Sequence, residues 1–299
     1  MGKRRGIRTG YLTILILLLF SFPAFTKTIV PFSGLTQGAA TAEVKPKAGR
    51  DVIKPVNRSE FLFDTQVSAI TYKEPNVMTE SGLMLGFLGG YKYHSGQLFM
   101  FGLDGRMASG YVDYDGSLQD GTPFKMTGIP DVLYEMRSVI GIDVPTPNSS
   151  SLTIYYGLGY RCLEDNLQLK YSGGYFRQAN YVYNPLGIEY SWSIFKNSSL
   201  GFMIENDSFV HGRQISKLSN VDRSYPDLLN EQNKGSGFRW SLAFRNKSEG
   251  LDMIFRVYQN NWSIEESEVV TFVAGGTPYA MIEPKNNSTE TGASFGIIF

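Results

Sequence analysis

The feature that most limits what this chain can fold into is an alternation of period two that recurs from residue 61 to residue 299. In "FLFDTQVSAITY", Phe63, Val67 and Ala69 fall on one face and Asp64, Gln66 and Ser68 on the other. "DVLYEMRSVIGI" sets Val132, Tyr134, Met136 and Ile140 against Asp131, Glu135 and Arg137. "PLGIEYSWSIF" opposes Leu186, Ile188, Tyr190, Trp192 and Ile194 to Gly187, Glu189, Ser191 and Ser193, and "GFRWSLAFR" opposes Phe238, Trp240, Leu242 and Phe244 to Arg239, Ser241 and Arg245. Successive side chains of a strand point to opposite sides of its sheet, so each segment is a strand with one apolar face and one polar, charged face. Composition agrees, because 18 tyrosines and 20 phenylalanines coexist with a mean hydropathy of only -0.16.

The pattern divides into ten segments, at about 61–73, 82–93, 97–109, 131–143, 152–162, 185–195, 200–211, 236–246, 250–260 and 288–299. Their connections alternate in length. Short ones fall at 94–96, 145–151, 196–199 and 246–250; long ones, rich in Tyr, Asp, Asn, Gly and Pro, fall at 74–81, 110–130, 163–184, 212–236 and 260–287. A water-soluble sandwich has short connections at both ends. Short turns on one rim and long loops on the other are the layout of an outer-membrane barrel with strands of about ten residues. The expected fold is therefore all-β: an antiparallel up-and-down transmembrane β-barrel of about ten strands, with short periplasmic turns and long outer loops. An even strand number puts both ends of the barrel on the periplasmic side.

The first residues read as an address. Lys3, Arg4, Arg5 and Arg8 precede the apolar run Tyr11 to Phe22, followed by "PAFT". About a dozen apolar residues are too few for a spanning helix but fit the core of a secretory signal. The expected division is a signal peptide at 1–26, a flexible periplasmic arm at 27–59 and an outer-membrane barrel at 60–299, exported to the bacterial outer membrane.

Charge and special residues exclude several functions. Lysine plus arginine and aspartate plus glutamate are equal at 28 each, which gives no electrostatic footprint for nucleic acid. The single Cys162 and the two histidines, His94 and His211, supply no metal cluster, so neither a metal nor a cofactor is expected. A barrel of about eight strands has an interior just wide enough for side chains and open aqueous pores use about 16 to 18, so about ten strands disfavour a diffusion pore. The inward charges Asp131, Glu135, Arg137, Arg161, Glu189, Glu205, Asp207, Arg239 and Arg245 are expected to pair and plug it. Tyr91, Tyr93, Tyr155, Tyr156, Tyr190, Trp192, Trp240, Tyr258 and Trp262 are assigned to interface girdles. The glycines of "YGLGYR" (156–161) have no helix after them and read as close-packing positions in a narrow barrel, not a dinucleotide loop.

The last segment, "TGASFGIIF", puts Thr291, Ala293, Phe295, Ile297 and Phe299 on one face. It resembles the C-terminal signature of Gram-negative outer-membrane β-barrel proteins, a last strand of alternating apolar residues ending in Phe. The resemblance implies that the barrel-insertion machinery reads Phe299 and that the surroundings are outer-membrane lipid and lipopolysaccharide. Strand count, loop order and Val112-Asp113-Tyr114-Asp115 are in addition similar to omptins, ten-stranded outer-membrane proteases with an Asp-x-Asp in the corresponding loop. That resemblance implies an aspartate pair, Asp113 and Asp115, facing an Asp-His pair across a cleft to activate water. The Asp-x-His half is absent; its nearest substitute is Asp207 with His211 in "NDSFVHG", read as one inward face with the pair about 13 Å apart along the strand. With Asp120, the first two aspartates also fit a turn-rich solvated loop, and the remainder of a 12-residue calcium loop is missing. His94 with Ser95 sits in a short periplasmic turn, away from any outer-leaflet substrate. The sequence thus leans away from an enzyme. It favours a barrel with surface loops for binding or envelope integrity, with an omptin-like endopeptidase and a narrow solute channel as the alternatives; the extracellular ligand is not legible.

Overall fold

A computed structural model describes residues 57–96, 98–118, 121–144, 146 and 150–299. The expected signal peptide, nearly all of the expected arm and Asp120 lie outside the described residues. Thirteen strands follow in chain order: Asn57–Glu74 (β1), Met78–Ser95 (β2), Phe99–Ser117 (β3), Pro123–Val144 (β4), Ser150–Asn166 (β5), Phe176–Phe195 (β6), Ser198–Lys217 (β7), Leu228–Gln232 (β8), Gly235–Asn246 (β9), Asp252–Ile264 (β10), Val270–Ala274 (β11), Thr277–Met281 (β12) and Asn286–Ile298 (β13). β1 to β7 pair in sequence, β7 continues to β9, β10 and β13, and β13 pairs with β1, all antiparallel. The sheet is closed. β8 lies on the same side of β7 as β9, so the two form one wall strand and the barrel has ten. The seam is held at the periplasmic rim by Phe61 and Phe299, whose backbones exchange hydrogen bonds of 2.8 and 3.0 Å and whose rings stack at 6.0 Å.

Each of the ten expected segments is a wall strand, yet the strands run further outward than expected. β4 has 22 residues and β3 has 19, about twice what a bilayer crossing needs. Much of 110–130, 163–184 and 212–236, expected as loop, is strand, and the 74–81 connection shrinks to the turn at 75–77. The physical reason is an inversion of the pattern. Across the membrane belt the apolar residues face out, as with Leu83, Leu85 and Phe87 on β2 or Leu103 and Met107 on β3. Beyond it the same strands turn polar outward and apolar inward: on β1, Ile70 and Tyr72 are buried while Thr71 and Lys73 are exposed, and on β3 Val112 is buried while Asp113 and Asp115 are exposed. The outer end is thus built like a water-soluble barrel standing on a transmembrane one.

The 260–287 connection also contains a hairpin. β11 and β12 pair around Gly275 and Gly276, whose φ values of 57 and 80° are the left-handed conformations that a tight hairpin turn requires.

Candidate functional site

Three arginines cross the lumen at mid-height. Arg106 on β3 grips Glu290 on β13 with two hydrogen bonds of 2.9 and 2.8 Å and donates to Glu135 on β4 at 2.6 Å. Arg137 on β4 holds Asp104 with two bonds of 2.9 and 3.1 Å and reaches Glu205 on β7 at 2.6 Å. From β9, Arg239 donates to Asp207 at 2.6 Å, to Glu135 at 2.5 Å and to the Tyr183 hydroxyl at 2.8 Å. Tyr183 and Tyr155 donate in turn to Glu135 and Glu205 at 2.6 and 2.7 Å. Bidentate guanidinium pairs of this kind are strong and geometrically fixed. The expected pairing of Glu135, Arg137, Glu205, Asp207 and Arg239 is therefore present, and Glu189 with Lys92 and Arg245 with Glu60 and Asp252 extend it. Asp104, Arg106 and Glu290 escaped the sequence reading.

Above this belt the lumen is packed by an apolar cluster interleaved with buried charged side chains. Ile70, Tyr72, Met78, Met84, Val112, Ile129, Leu133, Leu163, Ile264 and their neighbours form one buried cluster. Three aromatic residues expected in the girdles point inward instead: Tyr155, Tyr258 and Trp262 are 6%, 8% and 3% exposed. Trp262 packs against Tyr181 and Tyr183 at 5.9 and 5.0 Å, and the guanidinium of Arg161, which makes no ion pair among the described residues, lies 5.8 Å from both the Tyr181 and Trp262 rings. Gly159 makes room for this layer, because a Cβ there would collide with the Tyr183 ring.

The omptin-like residues do not converge. Asp113 and Asp115 lie on β3 and face outward, Asp113 accepting from the Gly128 backbone at 2.9 Å and Asp115 pairing with Lys125 at 2.7 Å. Asp207 faces the lumen, but His211 does not share its face. Tyr183 pairs with Phe209 and Val182 with His211, so Val210 is an inserted residue that shifts the alternation by one. After it Gly212, Gln214 and Ser216 point inward, and His211 is half-buried on the outward side. Because the Asp115–Lys125 pair is exposed, Asp115→Asn should change the unfolding free energy by less than about 1 kcal/mol in urea titrations of the refolded barrel.

Below the arginines a cavity of about 520 Å³ reaches the periplasmic rim, where Arg58, Thr146, Ser150 and Lys247 line it. One wall is apolar, with Leu62, Leu88, Ile254 and Ile298. At its mouth His94 is buried beside Asp143, with Nδ1 to Oδ2 at 2.6 Å, while Arg58 lies 3.3 Å from Nε2 and Thr153 donates to Asp143 at 2.7 Å. A guanidinium can donate only to an unprotonated ring nitrogen, so this contact fits a neutral His94 donating from Nδ1. The Asp143 pairing joins residues 49 apart in the chain, and no local motif announces it.

No protein-family model matches the sequence, and no curated protein is similar to it at a significant level. Among solved structures, the outer membrane protein OprG of Pseudomonas aeruginosa matches over 83% of this chain and 99% of its own, at 9% identity and a TM-score of 0.37. The Pseudomonas putida toluene transporter TodX matches over 80% of this chain and 89% of its own, at 10% identity and a TM-score of 0.33. The transport unit of the autotransporter AIDA-I from Escherichia coli matches over 83% and 91%, at 9% identity and a TM-score of 0.37. With its closed antiparallel wall and outward apolar belt, this chain has the architecture of a ten-stranded transmembrane β-barrel.

Proposed function

We propose that the protein is a sealed barrel that works through its outer, extramembrane end, as a surface for binding or for envelope integrity, and not through a conducting lumen. The observation that carries this reading is the double closure: the arginine–carboxylate belt with an apolar core stacked above it. Water and ions would have to cross both, and close-packed side chains leave few voids wide enough for water. The outward apolar band is taken to meet outer-membrane lipid and lipopolysaccharide, and Phe299 to be the residue read by the insertion machinery.

Planar-bilayer recording tests the reading. The refolded protein should give no reproducible current steps, and Arg137→Ala combined with Glu205→Ala should stay silent because the apolar layer remains. Steps in the unmodified protein that change size in that variant would replace the reading with a narrow solute channel. The periplasm-facing cavity is the observation that favours this second reading, since it already opens half of such a path.

A further inference from the structure

The outer end of the barrel carries more buried negative charge than its cations balance. Arg177 Nη2 donates to Glu74 Oε1 at 2.5 Å and to Glu283 Oε1 at 2.6 Å, so these two oxygens lie within about 5 Å of each other. The Tyr72 hydroxyl is 3.1 and 3.4 Å from the same two oxygens and has only one proton to give. Facing the same interior are Glu80, Asp131 and Asp165, of which Asp131 and Asp165 stand directly opposite each other across β4 and β5. None of the three has an ion-pair partner among the described residues, and Glu80 Oε1 and Asp131 Oδ1 have no hydrogen-bond partner either. Five carboxyl groups thus surround one guanidinium, with Tyr72, Tyr114, Tyr175 and Tyr181 the other titratable groups that face them. Buried like charges at such range do not all ionise.

Glu283 is also a structural bolt. Its backbone N–H donates to Ser267 Oγ at 2.9 Å, Ser267 N–H donates to the Glu283 carbonyl at 3.0 Å, and Asn230 of β8 donates to Ser267 Oγ at 3.1 Å. The base of the 265–285 excursion, which carries the β11–β12 hairpin, is tied to the barrel through this residue. Above the membrane, burial pushes the Glu283 carboxyl up to about 7, with Arg177 pulling the other way and Glu74 adding to the rise.

We propose that Glu283 holds a proton beside Arg177 and the neighbouring Glu74, that this proton latches the β11–β12 hairpin to the barrel wall, and that its loss as the pH rises through neutrality loosens the hairpin on the outer surface. The sign follows from linkage. A carboxyl whose folded value is raised binds its proton more tightly in the latched state, so the latch is strongest below the ordinary glutamate range and weakens up to about pH 7, by about tenfold per pH unit for one proton. The hairpin itself is uncharged from Val269 to Ile282 and exposes Val269, Val273 and Tyr279, so the latch would set how mobile an apolar, aromatic surface is. The proposal does not depend on whether the lumen conducts.

Hydrogen exchange on the full refolded protein, corrected for intrinsic rates, tests it at pH 5.5 and pH 8. The opening equilibrium of residues 266–283 should rise about tenfold or more at pH 8, while the wall strands at mid-height stay protected. Glu283→Gln, which keeps the hydrogen bonds without the charge, should leave the hairpin latched at both pH values; Glu74→Gln gives the same test should Glu283→Gln not fold. Equal protection at both pH values, or an unchanged pH response in the glutamine variant, would overturn the proposal. So would calcium chloride restoring protection at pH 8 and EDTA removing it, since a cation rather than a proton would then neutralise the cluster.

Discussion

Arg239→Ala should lower the unfolding free energy of the refolded barrel by about 3–5 kcal/mol, the usual effect of removing one partner from a buried charge network. Arg239 is 4% exposed and serves Asp207, Glu135 and Glu205 together, so its loss leaves three carboxylates buried around Tyr183 with only Arg106 and Arg137 to share. The loss is large because desolvated carboxylates remain, not because each ion pair is itself strongly stabilising. Lys125→Ala, at an exposed ion pair, should change stability by less than about 1 kcal/mol and serves as the control. Equilibrium urea unfolding in detergent micelles or lipid vesicles measures both. A similar small change in both variants would mean that water reaches the lumen belt and screens it.

The second large effect belongs to the outer face. Phe87 on β2 is 59% exposed and lies between Thr65 of β1 and Met107 of β3, in the middle of the apolar belt. Phe87→Arg should destabilise the protein by about 2–4 kcal/mol in lipid vesicles, the depth-dependent cost of a guanidinium at the bilayer midplane. Thr71→Arg, on the same outward face of β1 but above the belt, should cost about 1 kcal/mol or less. Equal costs at both positions would argue that the belt does not sit in hydrocarbon.

The membrane-spanning half of the fold is legible in the sequence because lipid outside and a polar lumen inside force a strict alternation. Phe63 against Asp64, or Phe244 against Arg245, fixes strand, face and register together. Outside the membrane the solvent on the outer face changes and the sign of the alternation reverses, so Val112 against Asp113 or Leu163 against Glu164 reads as loop although the ladder continues. Tyr258 and Trp262 could have been placed inside from sequence, since they share the parity of Arg256, which pairs with Asp64 in the lumen at 2.8 Å. His211 could not: a single inserted residue, Val210, turns it away from Asp207, and no residue type at that position announces the bulge. The partners of the lumen charges were equally hidden. Arg106 and Glu290 are 184 residues apart, and only closure of the barrel brings them together.

The seal itself is tested most directly by thiol labelling. In a Cys162→Ser background, cysteine replaces Ser191, which lines the cavity below the arginine belt. A membrane-impermeant maleimide should label this site when it is given access from the periplasmic side and leave it unmodified when added outside intact cells. Labelling from outside at a comparable rate would mean that a continuous aqueous path crosses both the apolar layer and the ionic belt, and that the barrel is open.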